Sequence, residues 1–304
     1  MGLTDRVREN AAAIAGGARH VTIELDRLGQ IEPGPPPALD PEKHYLEGSR
    51  EDVAAYLLTL DAINFGSGWF PTLRKRPGCS GYYTISWALA DRFRAHGPWS
   101  NEELRTLDAD ELADVLGQER GHDLVRLYAS ALRQLGEWLG NDAPLARVEA
   151  AAVSPGLRGQ APTDGGHASA EGLAESLREM PFFDDLGFWK RAQITANDFH
   201  LVGIVEFADV DRLTIFADNL VPHVLRVDGV LRYDDELAGR IDAGELLEPG
   251  EEEREIRGCA VHACELIAAE LGTPARDLDV MLWNRGQGER YKSRPRHRTR
   301  TVYY

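Results

Sequence analysis

Residues 188–224 read FWKRAQITANDFHLVGIVEFADVDRLTIFADNLVPHV. The stretch sets two acidic positions, Asp198 and Asp218, among apolar and aromatic neighbours, with Lys190 and Arg191 just upstream. Asp198 lies between Asn197 and Phe199, and Asp218 follows the apolar run Leu213-Thr214-Ile215-Phe216-Ala217. A carboxylate at the edge of such a run is costly to bury unless something holds it ionised or uses its charge. Its flanks, 185–199 and 219–226, carry helical patterns, and this sets the tone for the chain.

Outward from there the periodicity is almost everywhere that of helices. Residues 50–63 put Val53, Tyr56, Leu57 and Leu60 on one face, and 82–96 repeat the pattern through Ile85, Leu89 and Phe93. Helices are also predicted over 5–15, 108–116, 119–139, 171–178, 234–243, 249–271 and 275–285, with a short one opening at Ser100. Alternation at 20–25 predicts a short strand, and 299–304 alternate as a terminal strand would. PGPPPALDP at 33–41 reads as a connector, and the Gly/Pro/Ser-rich residues 154–169 as a mobile loop. The fold class is therefore mainly α, a helical domain with a few short strands.

A net charge of −16 opposes non-specific binding to nucleic acid or anionic membranes, because phosphate contacts need clustered cations. Three cysteines without a CxxC pair argue against a disulfide scaffold and fit a reducing cytoplasm. No run of 18 apolar residues suggests a membrane span. The histidines form no HxxxH or HxH pair with a carboxylate, and the P-loop, dinucleotide and nucleophile-elbow motifs are missing, so neither a metal nor a cofactor is expected.

Two readings of Asp218 stand side by side. Preceding Asn219-Leu220-Val221, it suits a helix N-cap. It also suits a carboxylate beneath a sugar carbon that turns cationic as a glycosidic bond breaks. Asn197-Asp198-Phe199 suits a guanine-like base: a carboxylate matches the donor edge, an amide adds a contact and a ring stacks. A solvated residue or an ion pair is the plainer reading of Asp198. Residues 285–300 hold seven Lys/Arg against one acid, Glu289, a local positive island in an acidic chain that suits a phosphate.

The motifs FWKRAQITANDF, LTIFADNLVPHVL, GVLRYDDEL, EIRGCAVHACELI, LWN and PRHRTRTVYY, preceded by LDAINFGSGWF and SGYYTISWALADRF, resemble the queuosine salvage family. The resemblance is collinear from about Ala18 to Tyr304, with its departures mostly between Pro155 and Ala170. It implies a cofactor-free enzyme that cleaves the N-glycosidic bond of queuosine 5'-phosphate to queuine and ribose 5-phosphate. The Phe-Ala-Asp motif then makes Asp218 catalytic, with Asp198 as its partner carboxylate. His44, Asn197, Phe199, Lys190, Trp283, Asn284, His297 and Arg298 become substrate-binding residues, the last two through the motif Pro-x-His-Arg-x-Arg. Motifs on both sides of 154–169 imply one domain over 1–304. The partner expected is a small nucleotide, with no membrane and no stable nucleic-acid complex. A competing class is a nucleic-acid glycosylase, since 219–226, Val227-Asp228-Gly229-Val230 and 234 onward resemble a helix-hairpin-helix and the fold a DNA-glycosylase-like one. A second is a non-catalytic binder of a modified base.

Overall fold

The structure, a computed structural model, describes residues 1–31, 38–153 and 168–304. The connector at 33–41 is described only from Ala38, and of the expected mobile loop only Ala168 and Ser169 fall within the described residues. The architecture is mainly α, as the periodicity predicts, with one two-stranded sheet among the described residues. No helix there is long and apolar enough to cross a membrane.

The two ends of the sequence meet early. Helix α1 (Leu3–Gly17) lies along α12 (Glu251–Leu271), where Gly258 permits the approach. A Cβ at Gly258 would lie 2.6 Å from Ile14. Strand β1 (Val21–Ile23) follows, and the Glu255 carboxylate of α12 accepts from the amides of Arg19, His20 and Val21 at 3.0, 2.7 and 3.1 Å. Its partner is β2 (Leu231–Tyr233), antiparallel, with Val21 opposite Tyr233. Thus the segment between the two helices of the suspected hairpin motif holds a strand. Residues 299–304 form no strand: they run as an irregular tail, tied by the Gly66 amide to the Tyr304 carbonyl at 2.8 Å.

The first half builds a helical layer from α2 (Arg50–Ala62), α3 (Gly81–His96), α4 (Asn101–Thr106), α5 (Ala109–Val115) and α6 (Asp123–Leu139). Helix α7 (Pro144–Ala151), not expected from the sequence, is started by Pro144, whose missing N–H costs nothing in a first turn. Helix α8 (Ala170–Leu177) then packs on α9 (Lys190–Leu201), and α9 crosses α2. The last layer is α10 (Leu220–Val227), α11 (Asp235–Asp242), α12, α13 (Ala275–Arg285) and the short α14 (Glu289–Lys292).

Helix α9 begins five residues later than its pattern predicts. Leu186, Gly187 and Trp189 adopt positive φ (32°, 96° and 47°), so residues 185–189 form a turn. Asp185 holds that turn. Its carboxylate accepts from the Lys190 amide at 3.2 Å and takes both terminal nitrogens of Arg257 at 3.0 and 2.5 Å. The Arg257 guanidinium also faces the rings of Phe188 and Tyr304 at 4.2 and 4.6 Å. Both charges are buried, and burial opposes the Arg257 charge while Asp185 and Glu253 hold it protonated. Removing one partner strands the other, so Asp185→Ala should destabilise the fold by about 3–5 kcal/mol in urea denaturation. A loss below about 1 kcal/mol would contradict this role.

Candidate functional site

A cavity opens where α9, α10, α13, the C-terminal tail and the loops around α2 and α3 converge. Helix α9 supplies one wall through Lys190, Ile194, Asn197, Asp198 and Leu201, a stripe at helical spacing. Asp279, Val280 and Trp283 do the same from α13, and Gln287 adds to the wall just past its end. The segment before α10 contributes Phe216, Asp218 and Asn219, and the first half brings His44, Asn64 and Tyr82.

Asp218 is half-buried at the head of α10, and its Oδ1 accepts from the amides of Leu220 and Val221 at 2.8 and 3.0 Å. The cap therefore exists, yet it occupies one oxygen, and the carboxylate still lines the cavity. The preceding turn is fixed from α13, where Asp279 Oδ1 accepts from the Phe216 amide at 2.8 Å. Burial, reinforced by the charge of Asp218, raises the Asp279 carboxyl well above its ordinary range.

Lys190 is 5 % exposed and donates to the carbonyl and side-chain oxygens of Asn64 at 3.1 and 3.4 Å. Burial lowers its ammonium, and Asp218 is the strongest charge acting in the other direction. Asp198, about two turns along α9, is pushed by burial up to about 7, against the Asn197 hydrogen bond and the Lys190 charge. Asn197 accepts from Arg276 at 3.4 Å, and its own NH2 is the buried donor that favours the ionised Asp198 carboxylate. His44 bonds through Nδ1 to the Asp40 carbonyl at 2.8 Å and through Nε2 to the Tyr82 hydroxyl at 3.0 Å.

Seven of the ten residues named from the sequence line this cavity: Asp218, Asp198, Asn197, Lys190, His44, Trp283 and Asn284. Phe199, His297 and Arg298 do not. Phe199 is 0 % exposed on the opposite face of α9, in the core. His297 is 1 % exposed, packs against Tyr304, and burial drives its imidazole down to about 3. Arg298 donates instead to the carbonyl of Gly244. The residue that the Pro-x-His-Arg-x-Arg motif does deliver is Arg296, which lines the cavity and has no hydrogen-bonded partner among the described residues. Burial lowers its guanidinium and Asp218 opposes that shift.

Sequence reasoning also passed over Asp61, which sits at the C-terminal end of α2 with 0 % exposure and no hydrogen bond to either carboxylate oxygen. The adjacent Thr195 hydroxyl donates to the Arg191 carbonyl at 2.8 Å. Burial and then the charge of Asp198 raise the Asp61 carboxyl well above its usual range, against Lys190 and Arg191. Its one-dimensional signal, an acid inside the apolar run of LLTLDAINF, was visible. Among the described residues no group of three metal-ligating side chains gathers.

A sequence profile described as Queuosine salvage protein matches residues 169–304. A Sphaerobacter thermophilus protein is 30 % identical over 99 % of this chain and 96 % of its own length. The chain belongs to the queuosine salvage family. That relative is called queuosine 5'-phosphate N-glycosylase/hydrolase, as are family members from Mus musculus, 38 % identical over 39 % of this chain and 41 % of their own, and Dictyostelium discoideum, 37 % identical over 38 % and 40 %. The profile covers the half of the family fold that carries α9, α10, α13 and the tail, hence most of the acidic and basic groups of the cavity.

Asp61 yields a prediction for this family member. Its folded pKa lies above the unfolded value of about 3.9, so the native state binds the extra proton. The contribution is present at low pH and is lost as pH rises toward the folded pKa. The melting temperature of Asp61→Asn relative to wild type should therefore climb between pH 5 and pH 8. A constant difference across that range would show that Asp61 does not titrate this way.

Proposed function

We propose that the chain hydrolyses the N-glycosidic bond of queuosine 5'-phosphate, releasing queuine and ribose 5-phosphate, as one domain whose N- and C-terminal segments both contribute to the site. The observation that carries this reading is Asp218: a half-buried carboxylate on a shared cavity, one oxygen fixed by two backbone amides, with Lys190 and Arg296 close by. The activity in the names of the relatives supports it.

Cleavage moves positive charge onto C1' and its ring oxygen, and the bonding electrons onto the departing base. Asp218 meets the first charge. At about 4 Å and an effective dielectric of ~20 the attraction is roughly 4 kcal/mol, or about three powers of ten in rate if felt only in the transition state. The amide-held oxygen keeps the carboxylate from reorienting, which is what preorganised stabilisation requires. A water then bonds to C1', and the proton it gives up balances the one the departing base takes on with the bonding electrons.

The base is a 7-deazaguanine, with carbon where guanine has N7, so protonation there cannot assist departure. Recognition falls to the pyrimidine edge. Asp198 accepts from its donors, and the Asn197 amide, beside it on the cavity wall, suits the 6-oxo group. Arg296, which has no hydrogen-bonded partner among the described residues, and Lys190 are the cations suited to the 5'-phosphate. The acidic chain as a whole argues against a duplex substrate.

Incubating the purified protein with queuosine 5'-phosphate should release free queuine, read by chromatography; no free base would overturn the reading and leave a binding protein. Asp218→Asn keeps an oxygen for the α10 amides, so the fold should survive while turnover drops about a thousandfold. Full turnover in that variant would remove Asp218 from catalysis. Because Asp198 accepts with both oxygens only when ionised, kcat/KM should rise as pH passes through about 7, and Asp198→Asn should flatten that limb. An unchanged limb in the variant would assign the titration to another group.

A further inference from the structure

One corner of the cavity has chemistry that hydrolysis does not call for. Tyr82, Tyr83 and Trp283 pack ring against ring, with centroids 5.4, 5.7 and 5.6 Å apart. Trp283 meets both tyrosines nearly edge-on, at 80° and 81°. Asp40 lines the same corner and pairs with Lys43, whose ammonium lies 4.8 Å from the centre of the Tyr83 ring. An ammonium already rests there between an aromatic face and a carboxylate.

The hydroxyl of Tyr82 is also oriented. The Asp40 carbonyl can only accept, so His44 Nδ1 carries the proton. Burial lowers the His44 imidazole, which keeps it neutral, so Nε2 accepts from Tyr82. Tyr82 spends its proton on His44 and keeps its lone pairs for another donor. A corner with aromatic faces, a carboxylate and an oriented acceptor is suited to a cationic N–H group.

We propose that Asp40, Tyr82, Tyr83 and Trp283 form a subsite for the ammonium-bearing substituent at position 7 of the base. The inference rests on queuosine 5'-phosphate as substrate, whose secondary amine in that substituent is its cationic part. Lys43 is partly exposed and gives up the Tyr83 face when the substituent enters. The subsite distinguishes the hypermodified base from a plain 7-deazaguanine, whose pyrimidine edge is the same.

Tyr83→Leu and Asp40→Asn test this with two substrates, queuosine 5'-phosphate and 7-deazaguanosine 5'-phosphate, which lacks the substituent. Each variant should lower kcat/KM for the first about tenfold and change the second less than twofold, while Tyr83→Phe, which keeps the ring, behaves as wild type. Equal losses on both substrates, or no loss on either, overturn the subsite. Binding of the free bases queuine and 7-deazaguanine to the same proteins reads the corner without the reaction. If wild type turns over neither nucleotide yet prefers queuine in a Tyr83-dependent manner, hydrolysis falls and the subsite stands. If it shows no preference between the bases, the subsite falls whatever the turnover.

Discussion

The guanidinium of Arg191 is the rivet of this fold. It is 1 % exposed and donates to the carbonyls of Ala62 at 2.7 Å, Asp61 at 3.5 Å, Val302 at 2.8 Å and Phe182. The last carbonyls of a helix have no partner within it, and at the end of α2 a side chain from α9 takes that place. The same group binds the C-terminal tail and the turn before α9, and it faces Phe65 and Phe183 at 4.7 and 4.5 Å. Desolvation pulls it down to about 9, with Asp185 and Asp61 acting against that shift. Three parts of the chain more than a hundred residues apart are thereby held at one junction. The cavity is the space immediately beside it, floored by Lys190, the residue before the rivet.

From that junction follows the way the carboxylates differ. Each lies close to the others in a space with few cations, and each is handled differently. Asp218 is held by backbone amides, Asp279 positions the turn leading to Asp218, and Asp198 faces Lys190 and Asn197. Asp61 is left behind them with no hydrogen bond to its carboxylate among the described residues. Groups of one chemical kind with environments that separate their protonation are the usual mark of a site with divided tasks. On the proposed reading, the carboxylate with amide anchors is the one that meets the cationic sugar, and the one pushed to about 7 is the one that reads the base edge.

Much of this was legible in one dimension. The 3.6-residue periodicity of α2, α3, α6 and α12 gave the fold class, and the spacing of Lys190, Asn197 and Asp198 put them on one helix with a common outlook. What failed did so for identifiable reasons. Helix α7 is too short and too rich in alanine to show a face. The start of α9 was misplaced because nothing local announces the left-handed Trp189, whose geometry depends on Asp185 and, through it, on Arg257. Strand β2 has three residues and exists through β1, two hundred positions away. In the tail, the alternation of 299–304 looked like a strand, whereas those residues run irregularly; just before them Arg296 lines the cavity while His297 and Arg298 turn elsewhere. Asp61 carried a visible signal inside its apolar run, whereas Asp279 looks like a polar position on an amphipathic helix, and only packing reveals that it faces inward.

The account turns on where the sugar sits. A crystal structure of the Asp218→Asn protein with intact queuosine 5'-phosphate addresses that directly. It should show C1' against residue 218, the pyrimidine edge at Asp198 and the phosphate at Arg296 or Lys190. A ribose bound away from residue 218, or a nucleotide outside this cavity, would contradict it.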